Sequence, residues 1–147
     1  MKKQETKAAK TITNAQVALL LNLVGKLKTK SLGLDDFEKF VDAKRGLKDS
    51  LERLNEIEKE LIEKHNIKFT DESQRFFDIT ATTKEERDAF NGEMIALQDK
   101  PVSTIKFITK KNLLALKNEN DLSVDEYELL AEAFLKNVEV EVKPAQE

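Results

Sequence analysis

The chain has 147 residues, no cysteine and a net charge of −3, and 36% of its side chains are charged. That length suits one domain able to bury about 70% of the surface its unfolded chain exposes, and the missing thiols exclude disulfides, thiolate metal sites and cysteine nucleophiles. A mildly acidic whole gives no general reason for nucleic-acid affinity, which rests on clustered Lys and Arg neutralising phosphates; the charged share, above the roughly 25% of an average domain, favours helices with solvated faces.

Met1 to Lys10 sets Lys2, Lys3, Lys7 and Lys10 against Glu5. It reads as a mobile basic arm, residues 1–10, and not as a signal peptide, because no apolar core follows. Thr13 and Gln16 then form a capping-box pattern. Behind it, Val17, Leu20, Leu21, Val24 and Leu27 recur at helical spacing, while Leu19 and Leu23 widen the apolar face and predict burial on more than one side. The run Val17 to Val24 contains Asn22 and falls far short of the roughly 20 residues needed to cross a bilayer. A soluble, cytoplasmic protein without a membrane partner is expected. Lys28 to Gly33 reads as a turn.

Leu34 to His65 carries the clearest periodicity. With Phe37 as the first core position of a heptad, the series runs Phe37, Phe40, Lys44, Leu47, Leu51, Leu54, Glu58 and Leu61, six of eight apolar. The other positions are crowded with Asp, Glu, Lys and Arg. Such a helix is about 45 Å long at 1.5 Å per residue, and its seam needs cover from the chain or from a second copy. Gly46 in its middle marks a bend or a close-packing point. From Asn66 to Thr82 the pattern turns extended: Ile67 and Phe69, turn residues Asp71 to Gln74, then Phe76, Phe77 and Ile79 predict a short antiparallel hairpin. A hairpin alone is marginal in water, so it needs a helix or a third strand. Val102 to Ile108, or Val138, Val140 and Val142, are candidates for that strand. Thr83 with Glu86 opens a helix to about Gln98. A short helix follows over Lys110 to Lys117, interrupted by Asn118 to Asp121. Ser123 with Glu126 opens the last helix, Val124 to about Asn137, burying Tyr127, Leu130, Ala131, Phe134 and Leu135. The fold class expected is α+β, predominantly helical: one long amphipathic helix, shorter helices and a small hairpin in a single domain over 11–143, with a loose tail over 144–147.

Chemistry-bearing constellations are sparse. His65 is the one histidine; it has no partners for a triad or metal set, and a cation at a helix C-terminus is explained by the helix dipole. Asp35, Asp36 and Glu38, and likewise Asp121, Asp125, Glu126 and Glu128, sit at helix starts where the dipole favours carboxylates, without the spacing of a calcium loop. Gly25, Gly33, Gly46 and Gly92 are scattered, forming no phosphate-cradling loop. No catalytic, cofactor or metal site and no small-molecule substrate is expected. Lys106, Lys110 and Lys111, around Phe107, form the best polyanion-contact candidate, weighed against lysines pointing outward at an ordinary junction.

The order of a short helix entered through Thr11-Ile12-Thr13-Asn14, a long charged helix ending in Lys64-His65-Asn66, a small hairpin and a helix entered through Leu122-Ser123-Val124-Asp125-Glu126 resembles small uncharacterised proteins encoded among the structural genes of tailed bacteriophages. The resemblance is one of layout, and implies a non-enzymatic structural or assembly role, in host cytoplasm or virion, with no site residues to carry over. The function expected is an interaction protein acting through helix faces, with a protein partner or as a homo-oligomer; a nucleic-acid-binding or regulatory protein using the arm and Lys106 to Lys111 is the alternative.

Overall fold

The computed structural model describes residues Thr11 to Lys136. The basic arm, the candidate strand at Val138 to Val142, the expected helix end at Asn137 and the tail over 144–147 lie outside the described residues. Within them the chain is predominantly helical, with five α-helices: α1 (Asn14–Lys26), α2 (Leu34–Lys64), α3 (Lys84–Asp99), α4 (Lys110–Asn120) and α5 (Val124–Phe134).

Three of the five starts carry a capping box. Thr83 Oγ1 accepts from Glu86 N–H at 3.1 Å while Glu86 accepts from Thr83 N–H at 2.8 Å. Ser123 and Glu126 repeat this at 3.1 and 2.9 Å, each pair satisfying amide donors that a helix start leaves orphaned. At α1, Gln16 Oε1 accepts from Thr13 N–H at 2.9 Å. The fourth helix runs past the expected break at Asn118, because Asn120 Nδ2 donates to Leu116 O at 3.0 Å and termination waits for Asp121, which adopts φ 52°. The last helix stops at Phe134, short of the expected Asn137, where the backbone turns extended to meet Ile108.

α2 is the spine. The seven-residue turn from Leu27 to Gly33 returns the chain along α1, and Phe40, Ala43 and Leu47 enter one core cluster with Val17, Leu20, Leu23 and Val24. α3 covers the far half: Gln98 Nε2 reaches Glu58 at 3.3 Å, and Lys64 Nζ reaches Glu93 at 2.9 Å. That pairing makes α3 antiparallel to α2. Where α3 ends, α1 begins: Asn14 N–H donates to Lys100 O at 2.9 Å, and Asn14 Nδ2 to Leu97 O at 2.8 Å. Two short helices from distant parts of the sequence thus line up in tandem along α2, each half of its seam covered by one of them.

The second layer is α4 and α5, with α5 packed on α1 and α4 on α5. Residues 101–109 reach it as an extended segment that pairs with Thr13 at Pro101 and with Leu135 at Ile108, and buries Phe107 and Ile108. This segment is therefore the link between layers and not the third strand of a hairpin.

The expected hairpin is corrected. Among the described residues there is no β-strand, and the segment forms one antiparallel bridge, Phe69 with Phe77, flanked by Thr70 N–H to Phe76 O at 3.0 Å and Asp78 N–H to Lys68 O at 2.8 Å. Asn66 and Gln74 turn to positive φ. Asp71 and Asp78 capture the amides of Ser73 and Thr80. Those local bonds compete with a ladder. The segment leans on α3 instead: Phe77 stacks on Phe69 at 5.8 Å and meets Phe90 edge-on at 6.0 Å. Buried Thr82 accepts from Lys68 N–H at 2.9 Å.

Gly46 is also corrected as a close-packing point, since nothing lies within 4 Å of a Cβ built there.

Candidate interaction groove between α1 and α5

A chain that is 36% charged gives α1 one charged residue, Lys26, in thirteen positions. Helices that are apolar all round are normally buried all round. Here Val17, Leu20 and Val24 are buried in the core and Leu23 is buried too, yet Leu19 keeps 61% of its surface exposed. The expectation of burial on more than one side holds for Leu23 and fails for Leu19 within the single chain. α5 starts beside it, its first turn carrying Asp125 and Glu126, a placement the positive helix end favours.

The result is a groove of about 210 Å³ lined by Leu19, Asn22, Leu23 and Lys26 from α1 and Asp125, Glu126 and Leu129 from α5. Leu23 and Leu129 are buried and form its floor; Leu19 is the open wall. Glu126 is committed to its capping box, which leaves Asp125 as the exposed carboxylate and Lys26 as the exposed cation at the rim. A second hollow adjoins on the same helix, along Ala18, Leu21, Asn22, Gly25 and Lys26. The hollow on α2 at Arg53, Glu56, Ile57, Lys59, Glu60, Leu61 and Lys64 is wider, but its walls are mostly charged, as on any solvated helix face.

The residues singled out from the periodicity sit elsewhere. Phe40, Leu47 and Leu54 are buried, while Lys44, Leu51, Glu58 and Leu61 are half-buried and Phe37 is exposed. Phe37 stacks on Phe40 at 6.5 Å, and the Lys44 ammonium lies 5.7 Å from the centre of the Phe40 ring, a contact that lets a cation rest on an apolar seam. His65 Nε2 lies 2.7 Å from Glu93. Hydrogen bonds from His65 and then Lys64 hold the Glu93 carboxyl below its ordinary value.

Lys106, Lys110 and Lys111 are all exposed, and Lys106 has a contact of its own. Its ammonium donates to Glu132 O at 2.6 Å, in the last turn of α5, and burial pushes it below its ordinary pKa while Glu132 opposes that shift. Lys110 and Lys111 are exposed at the start of α4. Among the described residues no group of three or more His, Asp and Glu could hold a metal ion, and no helix is long and apolar enough to cross a membrane.

One further group escaped sequence reasoning. Glu119 accepts from Lys30 N–H at 2.9 Å and Ser31 N–H at 3.0 Å, and Asn120 accepts from Lys28 N–H at 2.7 Å while donating to Lys28 O at 2.9 Å. The end of α4 thus clamps the α1–α2 turn, and the Ser31 and Lys30 amides hold the Glu119 carboxyl below its ordinary value. Comparison with protein families, with curated proteins and with solved structures finds no match.

Proposed function

We propose that this is a non-enzymatic interaction protein, an assembly or structural subunit that receives an apolar side chain of a protein partner in the α1–α5 groove. The observation that carries the reading is Leu19, 61% exposed on a helix with one charged residue. Burying a leucine contributes about 1.5–3 kcal/mol, so a partner covering this wall gains a contact that the chain by itself leaves unused. The helix order that resembles proteins encoded among tailed-phage structural genes, which the structure keeps without the hairpin, is in line with an assembly role.

The test is positional. A photo-cross-linking residue at 19 should give one defined protein adduct in the source cells, and the same residue at position 52, on the exposed side of α2, should not. Equal yields from both positions would count against the groove.

A further inference from the structure

The link between the two layers carries a backbone edge with half of its length in use. Thr13 and Pro101 form an antiparallel bridge, held by Val102 N–H to Ile12 O and Asn14 N–H to Lys100 O, both at 2.9 Å. Thr11 Oγ1 adds a bond to Val102 O at 3.0 Å. Beyond Val102 the side chains alternate as on a strand. Thr104 Oγ1 and Lys106 Nζ donate to Ala133 O and Glu132 O in the last turn of α5, while Ser103 and Ile105 line a small hollow with Gly46 and Ser50 of α2. In an extended chain every second residue points its N–H and C=O to the same side, so the edge that Val102 presents to Ile12 continues through Thr104 and Lys106. Neither has a backbone partner among the described residues. The opposite edge is taken farther along, where Phe107 N–H donates to Phe134 O at 2.9 Å.

An unpaired edge is a template for another strand, and the register names that strand. With Thr13 opposite Pro101, stepping back along one strand and forward along the other sets Lys10 against Thr104, Ala9 against Ile105 and Ala8 against Lys106. The residue types suit those places. Opposed side chains share a face, so an alanine meets Ile105, which is exposed and apolar, and the residue set against Lys106 is small and uncharged. Lys10 shares the face of Thr104, which rests on the C-terminal end of α5, where the helix dipole favours a cation. That helix carries Asp125, Glu126, Glu128 and Glu132 and no Lys or Arg.

We infer that the chain's own residues 8–10 occupy this edge, continuing the Thr13–Pro101 pairing as a short strand along Thr104 and Lys106 with Lys10 over the last turn of α5. Thr11 already lies at the edge, so the preceding residues are delivered in register with no loop to close. The basic arm then holds the 101–109 link from its free side, sets Lys10 beside an acidic helix and shuts the edge to strands of other molecules. The α1–α5 groove lies toward the other end of α5 and takes no part in this contact.

Amide exchange on the full wild-type chain reads the pairing directly. The Thr104 and Lys106 amides should exchange roughly tenfold or more slowly than those of Ser103 and Ile105, an alternation that burial of the segment as a whole does not produce. Engineered cysteines test the register, since the chain has none of its own. Residues 9 and 105 form a non-hydrogen-bonded pair, with Cα atoms about 4.5 Å apart, which a disulfide can span. Ala9→Cys with Ile105→Cys should close within one molecule under mild oxidation roughly tenfold faster than Ala8→Cys with Ile105→Cys, whose Cβ atoms face opposite sides. Unchanged helical circular dichroism before oxidation checks folding of both variants. Equal exchange across 103–106, or equal closure of the two cysteine pairs, overturns the inference. Closure of 9 to 105 between two molecules also overturns it, and assigns the edge to the arm of a second copy.

Discussion

Leu19 and Leu20 are adjacent leucines on one helix whose predicted fates differ entirely. Leu20 has no exposed surface and sits in the main core cluster, whereas Leu19 keeps 61% of its surface in water. Truncating a buried leucine to alanine removes its transfer free energy and leaves a partly uncollapsed cavity, at about 2–5 kcal/mol. Taking about 3 kcal/mol for Leu20→Ala, and roughly 2–4 °C per kcal/mol for a domain of this size, the melting temperature should fall by roughly 6–12 °C. Leu19 buries only about 40% of what a fully covered leucine does, so Leu19→Ala should cost about 1 kcal/mol at most. The assay is urea unfolding followed by circular dichroism at 222 nm, under dilute conditions, with the midpoint and slope compared across both variants. A loss from Leu19→Ala equal to that from Leu20→Ala would show that the groove wall is covered inside the monomer, and the interaction reading would fail with it.

Other expectations follow from single contacts. Asn14→Ala deletes the side-chain bond to Leu97 O and should cost about 1 kcal/mol, with amide exchange rising at the α3–α1 junction; no change there would mean the tandem joint contributes nothing. Thr82→Val leaves Lys68 N–H without its acceptor and should cost roughly 1–3 kcal/mol, with lost amide protection confined to 66–82. Gly46→Ala meets no atom within 4 Å and should stabilise by roughly 0.4–1 kcal/mol; a destabilised variant would point to contacts around α2 that the monomer lacks. Glu86, Glu93 and Glu119 all have lowered pKa values in the fold, through hydrogen bonds led by Thr83, His65 and Ser31. A depressed carboxyl contributes stability that is present above its unfolded value, near 4.5, and is lost as pH falls through the folded one. Denaturant midpoints should therefore decline below about pH 4.5, and Glu119→Gln should flatten part of that slope.

Helices were legible where local chemistry acts alone. The Thr83–Glu86 and Ser123–Glu126 boxes mark their starts within a few residues of sequence, and the 3.5-residue spacing of α2 needs no tertiary knowledge. What covers α2 was not legible, because α1 and α3 are 58 residues apart in the chain, Lys26 to Lys84, and no short-range pattern states that two helices will abut. The hairpin expectation failed for a related reason. Alternation at Ile67 and Phe69 is what a strand and a braced aromatic loop have in common, and the edge-on contact of Phe90 of α3 with Phe77 holds the segment as the latter. Part of the groove was visible as an overly wide apolar face on α1. Leu129 in its floor was missed: Tyr127, Leu130, Ala131, Phe134 and Leu135 all join or pack against the core as expected, and Leu129 and Ala133 widen that face.

The tandem joint has a kinetic consequence. Asn14 meets Leu97 and Lys100, and Lys28 meets Asn120, so the opening third of the chain is completed only by its closing half. Closing a loop of that length adds little equilibrium cost over a shorter one, since the entropy grows logarithmically, but such distant pairings slow the search for the folded state. During synthesis α1 and α2 emerge first, with half of the spine bare until α3 arrives. At that stage Leu54, buried in the finished fold, and Leu61, half-buried there, are both uncovered.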